Sequence, residues 1–169
     1  MPLGLKPGQN LVSSRDIAPE IYQEFLRIRA EQRASAGYRP RLEAAEELEK
    51  LLSRAPNFAK AWAFLSNTYL AGKLLQLYNN TVEPPKDARE QLLLVYDKAE
   101  KAAREAIRLD ETEVLAYATL ALVEDHRNNW VAAEDLLRKG QSLDPYDPGI
   151  WEYRRAFWAK PGESSRLCR

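Results

Sequence analysis

The stretch YDKAEKAAREAIRLD (96–110) returns 34 positions later as WVAAEDLLRKGQSLD (130–144). Tyr96, Ala99 and Asp110 stand over Trp130, Ala133 and Asp144, and Tyr117 stands over Trp151 at the same offset. One pair could coincide; four pairs at one offset mark an internal repeat. Both stretches are rich in Ala, Leu, Glu, Lys and Arg, and their apolar residues recur at three- and four-residue spacing. Helices are therefore expected on both.

Working backwards, Trp62, Leu65 and Ser66 precede Tyr117, Leu120 and Ala121 by 55 positions. Ala44, Leu48 and Pro56 precede Ala99, Ala103 and Glu111 by the same 55. Since 55 is 34 plus 21, one unit carries an insert of 21 residues. Tyr22 precedes Trp62 by 40, which leaves a smaller insert of six at SAGYRP (35–40).

These residues resemble the tetratricopeptide repeat, whose signature runs W-x2-L-G-x2-Y, then A-x3-F, then a closing proline. WAFLSNTY (62–69) follows the first half with Ser66 in place of glycine; YATLALVE (117–124) follows it with Ala121, but Glu124 replaces the aromatic. AEDLL (133–137) with SLDP (142–145), and AAEEL (44–48) with RAP (54–56), follow the second half. The resemblance implies an all-α, right-handed helical solenoid of three helix pairs plus a C-terminal helix, the second pair having an elongated hairpin. Its units would be 19–57, 58–111 and 112–145, with a terminal helix at 148–160. Residues 1–18 would be an extension and 161–169 a tail. In this reading Ala44, Ser66, Ala99, Ala121 and Ala133 let helices approach closely. Trp62, Tyr69, Tyr96, Tyr117 and Trp130 fill the gaps between layers, and the four tryptophans are expected in the core.

Composition narrows the function. Basic and acidic residues number 25 each, so the net charge of zero gives no electrostatic case for nucleic acid or an anionic membrane. No run of about 18 apolar residues is present, so no membrane insertion is expected. MPLGLKPGQN (1–10) lacks the apolar core of a secretory signal, which makes the cytoplasm the expected compartment. His126 is the single histidine and Cys168 the single cysteine, so no His/Cys metal site can be assembled. The carboxylates of EAAEELEK and KAEKAAREAIR alternate with bases at helical spacing, as on a solvated face. No glycine-rich loop precedes a lysine for phosphate. Neither catalysis nor a cofactor is expected.

Repeats of this kind present the first helix of each pair on a concave face, where a peptide or helix lies. Carried over by repeat position, the resemblance places Gln23, Glu24, Arg27 and Glu31 on that face in the first unit. The second contributes Lys60, Phe64, Asn67, Leu70 and Ala71, continued by Leu74 and Tyr78. The third contributes Leu115, Thr119, Leu122, Asp125 and His126. The groove so formed is centrally apolar, and Phe64 and Leu122 are expected to lie outside the packed core. Repeats that grip chaperone tails use a lysine, asparagine and arginine set, of which this chain keeps only Asn67. The implied role is a non-enzymatic interaction module with a protein or peptide partner. LGLKPGQNLVSS (3–14) is a candidate internal occupant of its groove.

The lead-in GLKPGQNLVSSRDIAPEIYQEFLRIRA (4–30) also resembles the entry to bacterial tetratricopeptide regions attached to winged-helix or nucleotide-cyclase regulators. That likeness implies an alternative role, as the regulatory part of a larger signalling protein that senses a small ligand.

The insert KLLQLYNNTVEPPKDAREQLLLVY (73–96) falls between the two helices of the second pair. KLLQLY continues the first helix, NNTVEP is the turn, and Pro85 suits the first position of the second helix. Helices of roughly 20 and 25 residues are expected, about 30 and 37 Å long. Leu92 and Val95 extend the core face of Ala99 and Ala103. Leu93 and Leu94 instead share stripes with Arg89, Asp97 and Glu100 and with Gln91, Lys98 and Lys101, where solvent is expected. They are a candidate homodimer contact through this hairpin.

Overall fold

The computed structural model describes residues 17–34, 37–79, 88–147, 149–151 and 153–154; at 75 and 77–79 it describes the backbone alone. Six helices follow one another: α1 (Pro19–Ala34), α2 (Arg39–Arg54), α3 (Ala59–Asn79), α4 (Ala88–Leu109), α5 (Val114–His126) and α6 (Trp130–Leu143). Residues 149–151 and 153–154 are helical too, and the described residues contain no strand. The fold is all-α.

Contacts run between chain neighbours: α1 on α2, α2 on α3, α3 on α4, α4 on α5 and α5 on α6, with α3 also against α5. Connections of three or four residues join packed helices at α1–α2, α2–α3, α4–α5 and α5–α6, so these neighbours run antiparallel. The 34- and 55-residue offsets reappear as hydrogen bonds. Ala55, Asp110 and Asp144 N–H groups donate to Leu51, Ala106 and Gly140 carbonyls at 3.0, 2.8 and 3.1 Å. Phe58, Glu113 and Asp147 N–H groups then donate to Ala55, Asp110 and Asp144 carbonyls. Each turn is closed by an aromatic side chain six residues on. Trp62 Nε1 donates to the Pro56 carbonyl, Tyr117 Oη to that of Glu111 and Trp151 Nε1 to that of Pro145, at 2.8, 3.1 and 2.8 Å. One turn is thus built three times, satisfying carbonyls that a helix end leaves orphaned.

Small residues form the seams between helices. Ala44, Ser66, Ala99, Ala121 and Ala133 are all buried. Gly140 is a further case: a Cβ built there would stand 2.6 Å from Ile150 Cδ1, so the segment after α6 lies directly on it. The α5–α6 turn needs a left-handed residue and has Asn128 at φ 64°, the non-glycine type that tolerates it best. Arg127 fastens that turn to α4 through Asp97 at 3.0 Å and Glu100 at 2.6 Å.

The tryptophans are less buried than expected. Trp62 and Trp130 are partly covered, Trp151 is 52% exposed, and Trp158 lies outside the described residues. For Trp62 and Trp151 the reason is their role: the indole N–H must reach a turn carbonyl at the edge of the stack. No later helix covers Trp151 among the described residues, and Arg154 lies over its ring instead.

The insert lengthens the second hairpin, α3 to 21 and α4 to 22 residues against 13 to 16 elsewhere. Asn79, expected in the turn, is the last residue of α3; the rest of the NNTVEP turn and Pro85 lie outside the described residues. Leu92 and Val95 pack on the cluster of Leu70, Tyr96, Ala99 and Val123. Leu93 and Leu94 remain 50% and 60% exposed.

Candidate functional site

A recess of about 810 Å³ opens along one face of α3, walled by α1 and the start of α2 on one side and the start of α5 on the other. Lys60, Phe64, Asn67 and Ala71 line it from α3, at the three- and four-residue spacing of one helix stripe. Phe25 of α1 meets Phe64 edge-on at 5.8 Å and Phe58 at 5.0 Å, so the apolar floor is continuous with the core. Leu115 and Val114 supply the opposite apolar wall. Asn67 Nδ2 donates to Tyr153 Oη at 2.6 Å, tying the last described helical residues to the recess.

Charge is concentrated at the two ends. Arg29, Arg33 and Arg41 line one end, and Lys60, Glu113 and Asp147 the other. The guanidinium of Arg29 lies over the Phe64 ring, 5.9 Å from its centroid. Gly72 allows α2 to bring Arg41 in: a Cβ at Gly72 would stand 3.2 Å from Arg41 Cβ. The Nε atoms of Arg29 and Arg41 are buried without a hydrogen-bond acceptor. At the far end, burial raises the Glu113 carboxyl above its ordinary range; Lys60 opposes this, and Asp110 and Asp147 add to it. That carboxyl is therefore held closer to neutrality than an exposed one.

The first-unit expectation is corrected. Arg27 does not line the recess: it pairs with Glu31 at 2.9 Å and Glu47 of α2 at 2.7 Å. Glu24 pairs with Arg54 of α2 at 2.7 Å, and Gln23 is exposed on the same outer side. The residues that α1 turns into the recess are Phe25, Arg29, Gln32, Arg33 and Ala34. Relative to Arg27, Arg29 is rotated by about 200° around the helix. At offset 40 Arg29 stands where Tyr69 stands in α3. Tyr69 meets Glu49 of α2, whereas Arg29 lies over Phe64 of α3. Gln32 is buried and donates to Thr68 Oγ1 at 3.1 Å, a link between α1 and α3 that periodicity alone does not reveal.

The third-unit expectation changes as well. Of those residues Leu115 reaches the recess. Thr119 is fully buried and donates to the Leu115 carbonyl at 2.9 Å. Leu122 packs on the Leu70–Tyr96–Ala99–Val123 cluster, and Asp125 is buried. His126 Nδ1 is 2.9 Å from the Leu122 carbonyl, with its ring edge-on to Tyr96. In the second unit, Leu70 is fully buried and Leu74 packs on the same cluster, so both belong to the α3–α4 seam. Tyr78 lies in the last turn of α3, with its side chain outside the described part. Phe64 is only 9% exposed and belongs to the core as well as the recess. Phe64 and Leu122 are therefore not free of the core, and the recess is charged at its ends rather than apolar along its length.

Among the described residues no group of three His, Cys, Asp or Glu side chains could hold a metal ion, and no helix is long and apolar enough to cross a membrane. The occupant suggested at 3–14 lies outside the described residues. No protein-family model matches the chain, and no curated protein matches it.

Proposed function

We propose that the chain is a tetratricopeptide-type solenoid and that the α3 recess docks an extended segment of a partner protein. The thrice-repeated turn, at the offsets of the sequence repeat, supports the solenoid. The observation that carries the docking role is the recess itself, lined by Lys60, Phe64, Asn67 and Ala71 at four successive positions of one stripe. From Lys60 to Ala71 the helix rises about 16 Å, the length of roughly five extended residues. A volume of about 810 Å³ also suits a small ligand, the alternative role in a larger signalling protein. The separation of the charged ends favours an elongated occupant.

The test is selection of short random peptides, displayed between constant linkers, on the full chain. Selected peptides should cross-link to benzoylphenylalanine placed at Lys60 and not at Lys101, which is exposed on α4. Failure to enrich any peptide over a heat-unfolded control, or cross-linking from Lys101 alone, would contradict the proposal.

The exposed Leu93 and Leu94 support a second contact, between two copies at the long hairpin. Sedimentation should then show a dimer that Leu93→Lys with Leu94→Lys converts to a folded monomer. A wild type that stays monomeric at high concentration removes this contact.

A further inference from the structure

Most arginines of the outer surface are engaged, while Arg39 and Arg89 are exposed with no ion pair among the described residues. Arg27, Arg54, Arg104, Arg108, Arg127 and Arg138 each pair with at least one carboxylate. Arg29, Arg33 and Arg41 in the recess form no ion pair or hydrogen bond among the described residues, and two of them bury an Nε atom without an acceptor. Unmatched buried donors are uncommon in folded proteins, because each forfeits its hydration without replacement. With its guanidinium over the Phe64 ring, 5.9 Å from the centroid, Arg29 keeps N–H groups that a ligand carboxylate can take.

We infer that this end of the recess takes the side-chain carboxylates of an acidic, extended peptide segment. The inference rests on the peptide-docking reading above and gives that partner its chemistry. Arg29 and Arg33 are one helical turn apart, about 6 Å along α1. Alternate side chains on one face of an extended chain are spaced by roughly 6.6 Å. Two aspartates or glutamates at alternate positions therefore match the two guanidiniums, with Arg41 closing the site from α2. A single chain-end carboxylate matches only one of them. Phe25 and Phe64 beside the arginines suit an aliphatic neighbour in the same peptide. A nucleic acid fits less well: its continuous phosphates would run onto Glu113 and Asp147 at the other end, and the chain has no net positive charge.

The peptides selected on the wild-type chain, whose ends are masked by linkers, test this directly. They should be enriched in Asp and Glu at alternate positions. The best of them should bind Arg33→Gln/Arg41→Gln at least about tenfold more weakly, with an unchanged circular-dichroism melt. Its own Asp→Asn and Glu→Gln version should lose as much on the unaltered protein, a comparison that needs no variant to fold. Selected peptides that cross-link from Lys60 but carry no acidic bias would overturn the inference and leave the docking groove standing. Equal binding of acidic and amide versions would overturn it as well. No enrichment at all would overturn both. A single-stranded 12-nucleotide oligomer that binds wild type and is lost with Arg33→Gln/Arg41→Gln would reassign the arginines to phosphate and sink the peptide assignment.

Discussion

The two sides of α1 handle the same residue type in opposite ways. On the outer side Arg27 is clamped by Glu31 and Glu47, and Glu24 by Arg54 of α2. On the inner side Arg29 and Arg33 meet no carboxylate, although the helix offers several acids a few residues away. The outer seams are finished surfaces: small buried residues, paired charges and closed turns. The recess wall is unfinished. That contrast separates positions paired across the stack from positions left without an acidic partner, and substitutions can break it from either side.

The largest effect is expected at a seam. Ala133 is fully buried and its neighbour Ala132 is exposed. Ala133→Trp overfills a helix contact and should lose about 1–3 kcal/mol or more, while Ala132→Trp should stay within about 0.5 kcal/mol of wild type. Urea unfolding of the two variants decides it. Equal midpoints would place the seam elsewhere.

A smaller, pH-dependent effect is expected at the acidic end of the recess. The Glu113 carboxyl is raised above its ordinary value of 4.5, chiefly by burial. The folded state then holds that proton more tightly than the unfolded chain does. Stability is fully present below 4.5 and is lost as pH rises through the folded value. Glu113→Gln should therefore raise the unfolding midpoint near neutral pH, and the gain should vanish below pH 4.5. A gain of equal size at both pH values would mean that charge burial is not its cause.

Much of this arrangement was legible in the sequence, and the limits have physical causes. The offsets of 34 and 55 were readable because the turns need the same aromatic, the same small seam residue and the same closing position each time. The long hairpin was readable because apolar spacing continues through Leu92 and Val95. The recess was legible in α3, where Lys60, Phe64, Asn67 and Ala71 share one stripe. It was misassigned in α1 because Arg27 and Glu24 pair with Glu47 and Arg54 of α2, which leaves Arg29 and Arg33 on the inner face. In α5 the same transfer failed because Thr119 and Asp125 are buried in a helix packed against α3, α4 and α6. Absence of an ion pair cannot be seen in a sequence at all: Arg27 and Arg33 look alike until their neighbours in space are known.

Those two arginines also provide the sharpest test. Arg27→Gln and Arg33→Gln remove the same charge from the same helix, so any long-range effect of net charge is shared. Fluorescence anisotropy of one selected acidic peptide should show about tenfold weaker binding to Arg33→Gln. Binding to Arg27→Gln should remain within about twofold of wild type, the size of a screened surface charge. Equal losses in the two variants, or a larger loss for Arg27→Gln, would contradict the account.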